Sequence, residues 1–197
     1  MVFIRVNDMY LCLEGIDGSG KSTQLAMLGE WLEKCGLEVL RVYEPTESPP
    51  GQLIREMLTD PRATTPHFQR ILGLLFAADR MMLMDRIGEA EKQEKIVISD
   101  RSFYSSLAYQ SDPDWILEIN RHIKKPDLVI LLDVDVEQAI NRFEGKDHFE
   151  NPEFLGKVRK NYLKLAQNHN FSVVNANHSV RKVHEDIKTI LSSRIRI

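Results

Sequence analysis

The run Gly15-Ile16-Asp17-Gly18-Ser19-Gly20-Lys21-Ser22-Thr23 fits G-x-x-x-x-G-K-[ST], and it constrains this chain more than any other stretch. Its glycines let the backbone curl until successive N–H groups converge on phosphate oxygens. Lys21 adds a positive charge at the terminal phosphates, and the Ser22 hydroxyl suits Mg²⁺. Such a loop needs a buried strand before it and an amphipathic helix after it. Both are present: Tyr10–Glu14 opens with apolar residues, and a helix is expected from about Lys21 to Cys35, stopped by Gly36. The helix also turns its partial positive end toward the anion.

The rest of the chain alternates short apolar runs with longer helical patterns, the mark of a parallel sheet wrapped by helices. Strands are expected at Tyr10–Glu14, Leu37–Tyr43, Ile96–Ser99, Leu128–Val134 and Phe171–Asn175. Most are unbroken aliphatic or β-branched runs, as in strands buried on both faces. A long helix follows Thr65-Pro66, carries Ile71, Leu72, Leu75, Phe76 and Met82, and ends near Gln93. Two more are expected at 152–168 and 180–192. This pattern predicts an α/β P-loop NTPase three-layer sandwich, with a five-stranded parallel sheet flanked by helices. A single domain over residues 1–197 accounts for the length, and no repeat or Pro/Gly-rich linker divides it. Functional loops are expected at Glu44–Gly51 and Phe143–Asn151.

Charge and composition narrow the partners. A net charge of -3 and a pI near 6.1 argue against a general nucleic-acid binder. No apolar run approaches the ~20 residues that span a bilayer, and residues 1–8 lack the apolar block of a signal peptide. Cys12 and Cys35 read as reduced thiols, with a disulfide or metal pair as the alternative. A cytoplasmic protein without nucleic-acid or membrane partners is the expectation. The guanine-reading Asn/Thr-Lys-x-Asp motif is missing, which disfavours a GTP switch.

A second carboxylate is needed near the phosphates. Ile96-Val97-Ile98-Ser99-Asp100 is an apolar run ending in Asp100, and the carboxyl end of a parallel strand faces the ligand crevice. Asp133, after Val129-Ile130-Leu131-Leu132, is its competitor. Asp100 is preferred because Arg101 follows at once, putting a guanidinium where it could bridge two phosphate-bearing substrates. A surface ion pair is the plainer alternative.

These residues carry a resemblance to thymidylate kinases. The opening Tyr10-Leu-Cys-Leu-Glu-Gly-Ile-Asp-Gly-Ser-Gly-Lys-Ser-Thr-Gln24 resembles that family's first segment. Leu74-Leu75-Phe76-Ala77-Ala78-Asp79-Arg80 is similar to its helix beneath the nucleobase, and Asp100-Arg101 with Ser105-Ser106-Leu107-Ala108-Tyr109-Gln110 to its Asp-Arg…Ser-x-x-Ala-Tyr-Gln signature. Pro126-Asp127-Leu128 through Leu132-Asp133-Val134 matches the next strand, and Arg142 the start of a lid, about residues 143–151. The resemblance covers nearly the whole chain in order.

It implies a homodimeric kinase that moves the γ-phosphate of ATP, with Mg²⁺, onto dTMP for dTTP synthesis. Residues 15–23 would cradle the donor, with Ser22 and Asp100 holding the metal. Phe76 would stack on the pyrimidine, or simply pack in its helix; Arg80, one turn along, would donate to a base carbonyl. Arg101 would hold the acceptor phosphate, and Asp17 would orient the acceptor near the donor. Ser106 would reach the base edge. Tyr109 would press on the sugar and favour deoxyribose, unless it merely packs. Arg55 would add a second phosphate clamp, or be a solvated helix residue. Other pyrimidine monophosphates (dUMP, UMP/CMP), or regulatory ATP hydrolysis without an acceptor, are the rival activities.

Three departures from the family pattern matter. After the second strand many members read Arg-Glu-Pro-Gly-Gly-Thr, whereas this chain reads Tyr43-Glu44-Pro45-Thr46-Glu47-Ser48-Pro49-Pro50-Gly51. Gly18 stands where some relatives place a catalytic arginine, so a lid cation is expected: Arg142 first, Lys146 second, with His148 in the place of the lid arginine. Ser111 replaces the usual glycine after Ala-Tyr-Gln.

Overall fold

The structure, a computed structural model, describes residues 9–142 and 151–194. Lys146 and His148 lie outside the described residues, as does all of the expected lid except Asn151. One five-stranded sheet organises the chain, built from β1 (Tyr10–Glu14), β2 (Val39–Tyr43), β3 (Ile96–Asp100), β4 (Leu128–Asp133) and β5 (Ser172–Asn175). Their order is β2-β3-β1-β4-β5, and every neighbouring pair is parallel. β1 and β3 are buried along their whole length and β4 over all but its last residue; the edge strands β2 and β5 are partly exposed. This gradient explains why the central strands read as unbroken apolar runs.

Eight helices flank the sheet among the described residues: α1 (Lys21–Lys34), α2 (Pro49–Leu58), α3 (Pro66–Lys92), α4 (Phe103–Tyr109), α5 (Pro113–Ile119), α6 (Val136–Ile140), α7 (Pro152–His169) and α8 (Val180–Ser192). Alternation along β1 sorts them into layers. Leu11 and Leu13 pack in one cluster with Leu25, Leu28 and Leu32 of α1 and Val183, Ile187 and Leu191 of α8. Tyr10 packs instead with Leu83, Ile87 and Ala90 of α3, and Cys12 with Phe103, Tyr104 and Leu107 of α4. Period-two alternation in a buried strand thus yields helix, sheet, helix.

The expected strands shorten where a helix end captures the chain. Leu37 N–H donates to Leu32 O at 3.1 Å, and Phe171 N–H to Ala166 O at 3.0 Å, so each still belongs to the preceding helix terminus. The segment Glu44–Gly51 is corrected more substantially. Ser48 caps α2, accepting from Gly51 N–H at 3.1 Å, and Pro49 occupies the first turn, so the loop ends three residues early. α4 escapes periodicity because six of its seven residues are buried, leaving no polar stripe to read. None of the described helices is long and apolar enough to cross a membrane.

Candidate active site

At the carboxyl end of β1 the chain turns through residues 15–20 and enters α1 at Lys21. A Cβ on Gly15 would lie 2.7 Å from both Leu132 O and Ser19 Oγ, and one on Gly18 would lie 2.4 Å from Ala139 O. Their φ values of +149° and +75° add to the requirement for glycine. Lys21 folds back over this loop, its Nζ donating to Gly15 O at 3.1 Å and Ile16 O at 3.0 Å. Burial, followed by the charge of Arg101, pushes the Lys21 pKa below its ordinary value, and an anion bound at the loop would favour its charged form. The Ile16 side chain points into the core, leaving only its backbone for the loop.

β3 runs beside β1 with Leu13 opposite Asp100, which brings the second carboxylate to the loop. Ser22 Oγ donates to Asp100 Oδ2 at 2.6 Å. Asp133 is committed elsewhere: Arg159 donates to both of its oxygens, at 2.6 and 3.0 Å. Arg101 leaves β3 with φ +76°, a left-handed conformation uncommon for a residue with a side chain and frequent at functional sites. Its Nη2 pairs with Asp17, and its Nη1 donates to Ser105 Oγ at 3.1 Å and Tyr162 OH at 3.4 Å. Tyr109 OH donates to Asp17 Oδ2 at 3.0 Å and lies beneath the guanidinium, 5.2 Å from ring centre to carbon. Burial pushes the Asp17 carboxyl up, but Arg101 and Lys21 outweigh it and hold it below the usual range.

Two cavities meet here. The smaller, about 370 Å³, is lined by Phe76, Arg80, Arg101, Ser106 and Tyr109, together with Leu58, Leu72, Gln69 and Gln110. The larger, about 720 Å³, is lined by residues 17–24, Arg55, Asp100 and Arg142, together with Ala176, His178 and Ser179. Asp17, Gly18, Glu44, Pro45 and Arg101 border both. Arg55 therefore faces the phosphate-loop cavity and not the smaller one, anchored by donation to Thr46 O at 2.9 Å and Pro45 O at 2.8 Å. Arg142 donates to Gly18 O and Ala176 O, each at 3.1 Å.

Comparison with known proteins gives this arrangement a lineage. Residues 13–187 match the family model described as thymidylate kinase. The chain belongs to the thymidylate kinase family. It is 53% identical over 180 residues to the probable thymidylate kinase of Methanobrevibacter smithii, covering 91% of this chain and 92% of that one. With the probable thymidylate kinase of Methanothermobacter thermautotrophicus it shares 50% identity over 189 residues, 96% and 97% of the two chains. Among solved structures, a thymidylate kinase from Candida albicans superposes with a TM-score of 0.82 at 25% identity, over 94% of this chain and 92% of that one.

Within this thymidylate kinase family member, several polar residues of the site escaped sequence reasoning. Arg80 is buried with Glu44, its Nε donating to Glu44 Oε2 at 2.5 Å, and its Nη atoms reach Asn120 Oδ1 and Ser102 O, each at 3.3 Å. Asp79, fully buried, accepts from Thr46 N–H at 2.8 Å, Thr46 Oγ1 at 2.6 Å and Ser48 Oγ at 2.5 Å. Glu14 and Tyr162 form a further buried group behind Arg101. Glu14 ends β1, and Glu44 follows β2 directly, as Asp100 ends β3. The rule that selected Asp100, a carboxylate closing an apolar run, would have selected Glu14, whereas Glu44 follows a strand interrupted by Arg41 and escapes it.

Proposed function

We propose that this protein transfers the γ-phosphate of ATP to dTMP, giving dTDP and ADP. The observation that carries the reading is the junction of the two cavities at Arg101 and Asp17. A phosphoryl group passing from donor to acceptor must cross one point where both phosphates sit, and a guanidinium there stabilises charge on both. The donor triphosphate would occupy the loop of residues 15–23, with Lys21 at its terminal phosphates. The acceptor would occupy the smaller cavity, its base against Phe76 and its edge near Arg80 and Ser106. Tyr109, fixed by Asp17, would border the sugar.

Ser22 and Asp100 form a hydroxyl–carboxylate pair on the wall of the phosphate-loop cavity. Such hard oxygen donors suit Mg²⁺, which binds through one or two protein groups plus substrate phosphates. When bound, the ion would neutralise charge on the phosphates. Lys21 and Arg101 serve the same charge from the protein side, and no protein nucleophile is required because the acceptor oxygen is already anionic. Arg142, at the edge of the phosphate loop, is the proposed closing cation.

A second copy of the chain is the proposed partner. Leu74, Met81 and Met82 on α3 and Leu53 on α2 are large apolar side chains left exposed, and their spacing on α3 keeps them on one side of that helix. Mass measurement in solution tests it: a monomer at micromolar concentration rejects the homodimer. A cytoplasmic setting accords with the free thiols Cys12 and Cys35.

A panel of nucleoside monophosphates assayed with ATP, following ADP release, tests the reaction. The expected order places dTMP first, ahead of dUMP and well ahead of UMP and CMP. Equal turnover of dTMP and UMP would refute the deoxypyrimidine reading, and acceptor-independent hydrolysis would refute the kinase reading.

A further inference from the structure

The fully buried carboxylate of Glu14 accepts four hydrogen bonds from N–H and O–H groups, with Cys12 Sγ a fifth, longer donor at 3.7 Å. Its Oε1 accepts from Ser102 N–H at 2.9 Å and Ser102 Oγ at 2.7 Å. Its Oε2 accepts from Ser105 Oγ at 2.7 Å and Tyr162 OH at 2.8 Å. The first pair has a local use, since Ser102 caps α4 and orders its first turn. The second pair leads elsewhere. Ser105 Oγ and Tyr162 OH are also the two side-chain oxygens that receive Arg101 Nη1, at 3.1 and 3.4 Å, beside the backbone oxygen of Gly15 at 3.4 Å.

We propose that Glu14, acting through the hydroxyls of Ser105 and Tyr162, is a positioning residue that holds the Arg101 guanidinium for the acceptor phosphate. This rests on the reading of Arg101 as the acceptor-phosphate clamp. Proton counting supports it. Ser105 and Tyr162 have one hydroxyl proton each, and their oxygens lie 2.8 Å apart beside Glu14 Oε2. Glu14, an acceptor only, draws those protons toward itself or into the link between the two hydroxyls. Either way, Arg101 meets lone pairs and no opposing proton. Burial, together with the Glu14 charge, pushes the Tyr162 phenol well above its ordinary pKa, so the phenol keeps its proton to share.

The arrangement opposes a second pull. Asp17 binds Arg101 Nη2 from the cavity side, and its side chain remains 43% exposed. With Gly15 O as the sole acceptor left to Nη1, the guanidinium would swing more readily toward Asp17 and out of line with an incoming phosphate. The left-handed backbone at Arg101 increases the need for such support, because a residue with a side chain rarely adopts that conformation. Tyr162 lies on α7, Ser105 on α4 and Glu14 on β1, so three separate elements converge to fix one side chain.

Calorimetric titration with dTMP, combined with KM values for both substrates, tests the proposal. Tyr162→Phe is expected to weaken dTMP binding about fivefold, the scale of one ordinary hydrogen bond because the effect is passed on through Arg101, while the KM for ATP stays constant. In an Arg101→Ala background the same change is expected to add less than about twofold, because its effect runs through Arg101. Ser105→Ala carries the same expectation and serves if Tyr162→Phe does not fold. Glu14→Gln, with one acceptor oxygen in place of two, is expected to give the same selective loss. If Arg101→Ala leaves dTMP affinity unchanged, the clamp reading itself fails. If Arg101→Ala weakens dTMP but the hydroxyl variants do not, or weaken it equally in both backgrounds, only the positioning role fails. Unchanged dTMP affinity in a folded Glu14→Gln protein removes Glu14 from it.

Discussion

Ser22 Oγ donates to Asp100 Oδ2 at 2.6 Å, joining the first turn of α1 to the end of β3. Parallel pairing of β1 with β3 produces this contact, since it carries the carboxylate to the level where the phosphate loop begins. The pair is the proposed seat of Mg²⁺. Asp100→Asn is expected to raise the Mg²⁺ concentration needed for half-maximal turnover by roughly 10–100-fold, as for other groups that hold or orient a metal. Asp133→Asn, which disturbs a carboxylate bound by Arg159, is expected to leave that requirement unchanged. A Mg²⁺ titration of the two variants side by side decides the matter.

Arg80 and Glu44 form an ion pair with side chains only 1% and 2% exposed. Removing one partner of such a pair strands the other, so Arg80→Met is expected to destabilise the fold by about 3–5 kcal/mol. The pH dependence has a definite sign. Burial pushes the Glu44 carboxyl above its ordinary value even though Arg80 pulls it down, so the native state binds its proton more tightly than the unfolded chain does. Stability from this group is greatest at low pH and falls as pH rises from the ordinary glutamate value through the raised one. Without Arg80 that window moves further up. Denaturant midpoints of Arg80→Met should therefore recover relative to the parent between pH 8 and pH 5, and a constant difference would contradict the assignment.

Much of this fold was legible because the sheet's centre obeys simple rules. The strands expected at Ile96–Ser99 and Leu128–Val134 announce themselves by the unbroken aliphatic runs Ile96–Ile98 and Leu128–Leu132, and the phosphate loop is explicit in its glycines and Lys21. Resemblance supplied Phe76, Arg80, Ser106 and Tyr109, which do line one cavity with Arg101. What stayed hidden were tertiary satisfactions of buried charge. No spacing rule pairs Glu44 with Arg80 or gathers Ser105 and Tyr162 around Glu14, because those partners meet only when distant elements pack. Arg80 shows the consequence: its position one turn beyond Phe76 suggested free donors for a base, whereas Glu44 already holds its Nε.

Asp79 ties the departing loop to α3. It accepts from Thr46 N–H, Thr46 Oγ1 and Ser48 Oγ, and Thr46 O in turn anchors Arg55. Loop residues 46–48, which lack the glycines common in the family, thus gain order from a side chain in α3. Asp79→Ala is expected to cost about 1–3 kcal/mol for the stranded Thr46 N–H alone, measured by chemical denaturation. Through Arg55 it should also raise the KM for substrates. A variant of full stability would show that the loop orders itself.

Arg142 and Gly18 bear on the missing phosphate-loop arginine. Gly18 cannot carry one: its φ is +75°, and a Cβ there would sit 2.4 Å from Ala139 O at the end of α6. Left-handed geometry alone costs a side-chain-bearing residue about 1–2 kcal/mol, and the backbone contact adds to it. Arg142 lies directly against this point, its Nη1 donating to Gly18 O at 3.1 Å. The same close packing that excludes an arginine on the loop therefore brings one beside it from the end of α6. Arg142→Ala is expected to lower kcat at saturating ATP by roughly 10²-fold, the scale of losing one charge-stabilising donor, with little change in melting temperature because the side chain is exposed. Gly18→Arg introduced into that variant should restore nothing and should lower its melting temperature. A raised KM for ATP with undiminished kcat would instead assign Arg142 to holding the donor nucleotide, and recovery of turnover by Gly18→Arg would overturn the steric account.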